Sequence, residues 1–180
     1  MAEAALRNEL ASAKLTRALD IQQVEQLIDL LHVRRGVERE AAVLAASRAT
    51  PEDLADLRAN VEQYDNAVAE HGVDSNLGND FHRLIIKAAH SPLLETLSNL
   101  TLNERIDALE PVLFVITKGH GTIGSDPKEH LAILDALERG DVQEADRVQT
   151  EHLTRLITEV EEFARTNDAE LFQRILQLAR

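Results

Sequence analysis

Seven histidines stand in this sequence: His32, His71, His82, His90, His120, His130 and His152. Imidazole titrates near neutrality and is the commonest metal ligand among side chains. Position divides the seven. His71 and His90 fall at expected helix ends, where a cation suits the negative end of the dipole. His120 falls in an expected loop, and His32 sits beside the apolar stripe of its helix. The other three lie within apolar stripes. His82 precedes Ile85, Ile86 and Ala89; His130 precedes Ile133, Leu134 and Leu137; His152 is flanked by Ala145, Val148, Leu156 and Val160. Those offsets turn each ring toward the core. One buried ring can be satisfied by a carbonyl or a water. Three in a small domain can be satisfied together by one cation. Spacing alone leaves two readings open, a shared metal site and three ordinary core histidines.

Arg34 is the other polar residue on a core-facing stripe. A buried guanidinium needs a partner. Glu38, one turn on, offers an internal ion pair; a bidentate clamp on a ligand carboxylate is the functional alternative. Glu129 and Glu151 each precede one of the three histidines. A one-residue offset turns them about 100° away, so neither is expected to serve as the general base that a metal-dependent enzyme needs. Gly119-His120-Gly121-Thr122-Ile123-Gly124 spells G-x-G-x-x-G. The dinucleotide fingerprint requires a strand before it and a helix after it. Here a long helix precedes it and no strand is expected, so the match reads as chance.

These residues need a scaffold, and the composition supports one. The 180 residues are 44% hydrophobic and 28% charged, a balance that fits one globular domain. The net charge of −13 repels phosphate backbones, so no direct nucleic-acid contact by this chain is expected. Without cysteine, thiolate sites and disulfides are excluded. No basic and apolar leader and no membrane-length apolar run is found, so a cytoplasmic location is expected. Gly and Pro are scarce and fall between apolar stretches of helical period. The pattern predicts an N-terminal helical extension over 1–20 and a bundle over 21–166. Within the bundle, helices are expected from about Ile21 to Ser47, Thr50 to His71, Asp74 or Ser75 to Ala89, Ser91 to Thr117 with a kink at Pro111, Asp126 to Arg139, and Asp141 to Ala164. Lys118–Ser125 reads as a loop. A last helix over 167–180 carries an apolar face of Phe172, Ile175, Leu176 and Ala179.

Three pieces in order carry a family resemblance. They are Val33-Arg34-Arg35-Gly36-Val37-Glu38; Asp80-Phe81-His82-Arg83-Leu84-Ile85 with Ala88-Ala89-His90-Ser91-Pro92-Leu93-Leu94; and Glu129-His130-Leu131-Ala132-Ile133-Leu134-Asp135-Ala136-Leu137, followed by Gly140-Asp141, Ala145 and His152-Leu153. The set resembles the FCD effector-binding domain of FadR-type regulators in the GntR family. The resemblance implies an all-α, antiparallel helical bundle of about six to seven helices. It also implies a divalent metal, zinc or nickel, held by His82, His130 and His152. A small organic acid would be the effector, and a homodimer the assembly.

The sequence departs from the family pattern in two places. The family's fourth ligand is an aspartate one turn before the first histidine; that position is Gly78, and Asn79 is the remaining candidate for a fourth metal position. The family's winged helix has no counterpart in the first twenty residues. Arg34, Tyr64, Asn103 and Arg105 are the expected ligand-binding residues. Alternatives to a metal-containing sensor are a metal-dependent enzyme acting on a small carboxylate, and a metal-free ligand-binding or dimerisation bundle.

Overall fold

The computed structural model describes residues 21–71, 75–101, 113, 116–117 and 119–166. The expected helices over 1–20 and 167–180, the kink at Pro111, and the candidate residues Asn103 and Arg105 lie outside them. Among the described residues there are six α-helices and no strand. They are α1 (Ile21–Arg48), α2 (Pro51–His71), α3 (Ser75–Ala88), α4 (Pro92–Thr101), α5 (Asp126–Glu138) and α6 (Val142–Thr166). The protein is the all-α helical bundle that the sequence leads one to expect. The described part of the expected loop, Gly119–Ser125, contains helical turns. Gly119 and His120 are helical, and Ile123–Ser125 forms a 3-10 turn that runs into α5.

Local chemistry sets the helix ends. Between α1 and α2, the Thr50 hydroxyl accepts from the Asp53 amide (3.2 Å), while the Thr50 amide donates to Asp53 Oδ2 (2.9 Å). This reciprocal bonding satisfies donors that the first turn leaves free. His90 Nε2 also meets Asp53 Oδ2, at 2.7 Å. Gly140 takes φ +63° at the turn from α5 to α6, a conformation that costs glycine little. Asp141 then caps α6 by accepting from the Glu144 amide at 3.0 Å.

Cross-helix pairs give the directions. His32 faces Glu161, Arg35 bonds Thr154 and Arg39 bonds Asp146, so α1 and α6 run antiparallel. Asn60 bonds the Leu77 carbonyl and Lys87 faces Asp56, so α2 and α3 do as well. Arg58 bonds Glu138 and Tyr64 approaches Asp126, which makes α2 and α5 antiparallel.

Among the described residues the core has two large apolar regions and a small third one around Val37. One gathers Ala41, Ala42 and Ala45 of α1, Leu57 and Val61 of α2, Phe81, Ile85 and Ile86 of α3, and Ile133, Leu134 and Leu137 of α5. The other gathers Leu27 and Leu31 of α1, Leu113, Ile116, and Ile157, Val160 and Phe163 of α6. Between them lies a buried polar layer. Along α1 the inward order is Leu27, Leu31, then Arg34 and Glu38, then Ala41 and Ala45; along α6 it is Ala145, then Gln149 and His152, then Leu156 and Val160. Each helix therefore keeps its apolar period and interrupts it at the same level.

Candidate metal centre

His82 comes from α3, His130 from α5 and His152 from α6, and all three are buried. One ring nitrogen from each lies within 4.8 Å of the others. The rings of His82 and His152 stack with centroids 5.1 Å apart, and both meet His130 edge-on at 5.0 and 4.9 Å. The ring of His130 lies flat on Phe81, at 4.1 Å and 13°, with Tyr64 tilted against it at 5.6 Å.

Two carboxylates fix the orientation of two rings. Glu129 Oε2 lies 2.6 Å from His152 Nδ1. Glu38 Oε2 lies 2.7 Å from His82 Nδ1, close enough to hydrogen-bond but off the line of the N–H. A carboxylate oxygen at either distance requires a proton on Nδ1. In the neutral rings both Nε2 atoms then carry lone pairs, and these two atoms stand 3.3 Å apart. Both nitrogens of His130 are buried without a hydrogen-bond partner.

This donor set fits a cation. Two lone pairs facing each other repel unless a proton or a metal ion lies between them. Tetrahedral zinc with bonds of about 2.0–2.1 Å places ligand nitrogens about 3.3 Å apart. A histidine that gives one nitrogen to a carboxylate and the other to a metal is the usual arrangement of such sites. Glu129 reaches further than its own helix suggests. It does turn away from its neighbour His130, but in doing so it reaches His152 of the next helix. Glu151, by contrast, is exposed and pairs with Arg147 at 2.6 Å.

Each carboxylate is held by an arginine. Arg34 Nε donates to Glu38 Oε1 at 2.7 Å, with both side chains buried; this is the internal ion pair that the spacing suggested. Gln149 Nε2 adds a 3.2 Å bond to Glu38. Among the described residues, the terminal nitrogens of Arg34 make no hydrogen bond. On the other side, Arg155 donates to Glu129 (2.8 Å), to Glu159 (2.9 Å) and to Asp126. Asp126, Glu129 and His152 also bring ligand atoms within 4.8 Å of one another, but the Arg155 guanidinium already sits on both of those carboxylates.

Burial and charge set the protonation states. Burial pushes His82 down to about 4, with Arg34 adding to the fall and Glu38 opposing it. His130 is driven well below the ordinary range by burial, and then by His152 and His82. Burial alone would raise Glu38, but Arg34 and His82 outweigh it and hold the carboxyl at about 2. Glu129 behaves likewise: burial works against its charge, and the bonds from His152 and Arg155 lower it. At neutral pH His82 and His130 are thus uncharged rings and Glu38 and Glu129 are anions, the states that metal binding requires.

Asn79 is buried one turn before His82. Tyr64 is buried as well; its hydroxyl lies 3.5 Å from Asp126 Oδ2. A Cβ placed on Gly78 would meet that same hydroxyl at 3.4 Å. A side chain at position 78 would therefore start in ordinary contact with Tyr64. Reading the sequence alone missed Gln149 and Arg155. Both lie three residues from His152, on its face of α6, which was the available signal. Nothing in the sequence linked Asp126 or Glu129 to Arg155.

The fold and site define an all-α bundle with a buried polar layer that holds a three-histidine group. The model of the FCD domain matches residues 29–155, well over half of the chain, and the chain belongs to that family. The FCD domain is the effector-binding domain of GntR-type regulators. No curated protein sequence matches the chain.

Proposed function

We propose that this FCD domain is the metal-containing sensor of a GntR/FadR-type transcription regulator. Its metal would be held by His82, His130 and His152, and its effector would be a small organic acid. The observation that carries the reading is the pair of Nε2 atoms 3.3 Å apart beside a third imidazole with both nitrogens unpartnered. Zinc or nickel suits imidazole donors. When bound, such an ion supplies an electrophilic position for a ligand oxygen. The terminal nitrogens of Arg34 are the second anchor: a guanidinium edge accepts a carboxylate bidentately. Tyr64 would close the pocket beside His130. Asn79 remains the candidate for a fourth position on the metal, and Asn103 and Arg105 remain candidates for the effector. An effector with different affinity for two arrangements of the bundle would shift their populations and so the output. The working form proposed is a cytoplasmic homodimer.

The test is metal analysis of the purified chain, with melting scans in zinc and in nickel before and after chelation. The expected result is bound metal in stoichiometric amount and a melting temperature that falls on chelation. Unchanged melting with either ion, in a chain that carries no metal, refutes the proposal. A panel of small carboxylic acids, screened by the same scan on the metal-loaded protein, then addresses the effector. Arg34→Lys should weaken the response, because lysine loses the planar fork.

A further inference from the structure

Three imidazoles are neutral ligands, so a divalent ion held by them brings two uncompensated charges into a buried layer. Isolated buried charge is costly. The surroundings of the site are unevenly charged. At one pole, Glu38 faces Arg34 and the two cancel. At the other pole, the single guanidinium of Arg155 meets three carboxylates, Asp126, Glu129 and Glu159. These acids are 15%, 29% and 8% exposed, so water screens them poorly. Among the described residues, their ion pairs are with Arg155 and His152 only. Among the described residues the pole therefore carries an excess of two negative charges. Hydroxyl groups soften it, Thr122 donating to Glu159 at 3.0 Å and Tyr64 lying near Asp126, but they do not neutralise it.

We propose that this excess is the counter-charge for a divalent cation bound by His82, His130 and His152. It acts across the imidazole of His152, whose Nδ1 is held by Glu129. The inference rests on the three-histidine reading above. It assigns Asp126 and Glu159, which among the described residues hydrogen-bond to none of the three rings, to the affinity of the metal site. It also accounts for a site without a carboxylate among its ligands: the charge is present, one residue further out.

The experiment is a measurement of zinc and cobalt affinity, by competition with a chromophoric chelator, on the full chain and on Asp126→Asn, Glu159→Gln and the double variant. Asp146→Asn is the control; it removes an acid from the same helix that pairs with Arg39 and touches nothing in the site. Glu159→Gln is the milder change, since an amide oxygen can still accept from Arg155 and Thr122, and it carries the test if Asp126→Asn folds poorly. Each single variant should weaken binding roughly tenfold, in the range that outer-layer partners of metal ligands usually command. The double variant should weaken it further, and Asp146→Asn should stay within twofold. The cobalt absorption bands should keep their wild-type shape, because no ligand has changed. Affinities within twofold of wild type in Asp126→Asn and Glu159→Gln overturn the inference. So does a changed cobalt spectrum in both, which would make these acids supports of ring geometry. If the wild-type chain binds neither ion, the three-histidine reading fails first and this inference falls with it.

Discussion

Replacing His130 by leucine removes two buried nitrogens that hydrogen-bond to nothing and puts a side chain of similar volume against Phe81. Each buried polar atom without a partner costs about 1–3 kcal/mol, so removing the pair gains about 2–6 kcal/mol. Loss of the stacked contact returns about 0.5–1.5 kcal/mol, and the change of shape up to about 1.5 kcal/mol. The balance is a gain of about 2 kcal/mol for the metal-free protein, or about 4–8 °C in melting temperature for a chain of this size. The metal-loaded state behaves oppositely. A ligand at a hundred times its Kd stabilises the wild type by about 2.7 kcal/mol, and His130→Leu should gain none of it. Calorimetric or fluorescence melting with chelator and then with zinc reads both terms. A metal-free variant that melts below the wild type would mean that the nitrogens of His130 find partners in solution. A variant that keeps the full zinc shift would remove His130 from the ligand set.

Arg34→Ala leaves Glu38 buried without its cation and should cost about 3–5 kcal/mol by urea denaturation. The double variant Arg34→Met/Glu38→Met should cost less than Arg34→Ala alone; equal or greater loss would show that the pair stabilises the fold in its own right. Gly78→Ala places a methyl group in contact with Tyr64 at 3.4 Å and should stabilise the metal-free chain by about 0.5–1 kcal/mol through helix propensity; destabilisation would show that Tyr64 cannot yield. Asp53 is held at about 2: burial opposes its charge, but the hydroxyl and amide of Thr50, and His90, prevail. A depressed carboxyl stabilises the fold fully above its unfolded value of 3.8 and loses that contribution as pH falls toward 2. The loss should be about 2 kcal/mol, and melting scans of Asp53→Asn over that range should lack it.

The periodic part of this structure was legible. Regular apolar spacing with Thr50-Pro51, Ser91-Pro92 and Gly140 as punctuation gave the helices, and the three histidines stood out because they interrupt those same stripes. Arg34 and Glu38 were legible for the same reason, one turn apart on one face. What could not be read was anything set by the approach of two helices. Glu129 illustrates this: from its own helix it points away from the site, and only the packing of α5 on α6 brings it to His152. Arg155 looks like a surface residue in sequence, since two of the three carboxylates that pair with it come from the first turn of α5. Gly78 looked like a lost ligand. Its contact with Tyr64 of another helix is again a matter of packing that its own stretch of sequence does not reveal.

The two arginine–glutamate pairs give the site a polarity that the histidines alone lack. Arg34 and Glu38 lie on α1, which contributes no imidazole, yet Glu38 reaches His82 of α3 and Gln149 of α6. Helix α1 is thereby tied to the site through a carboxylate that an effector need not displace, since the terminal nitrogens of Arg34 are outside that pair. Arg155 and its three acids instead tie the site to the turn before α5, through Thr122. In the proposed reading, an acid bridging Arg34 and the cation would bind on the electrically balanced side and leave the negative pole to hold the metal. Retention of the ion and response to the ligand would then depend on different residues, so that one can be changed without loss of the other.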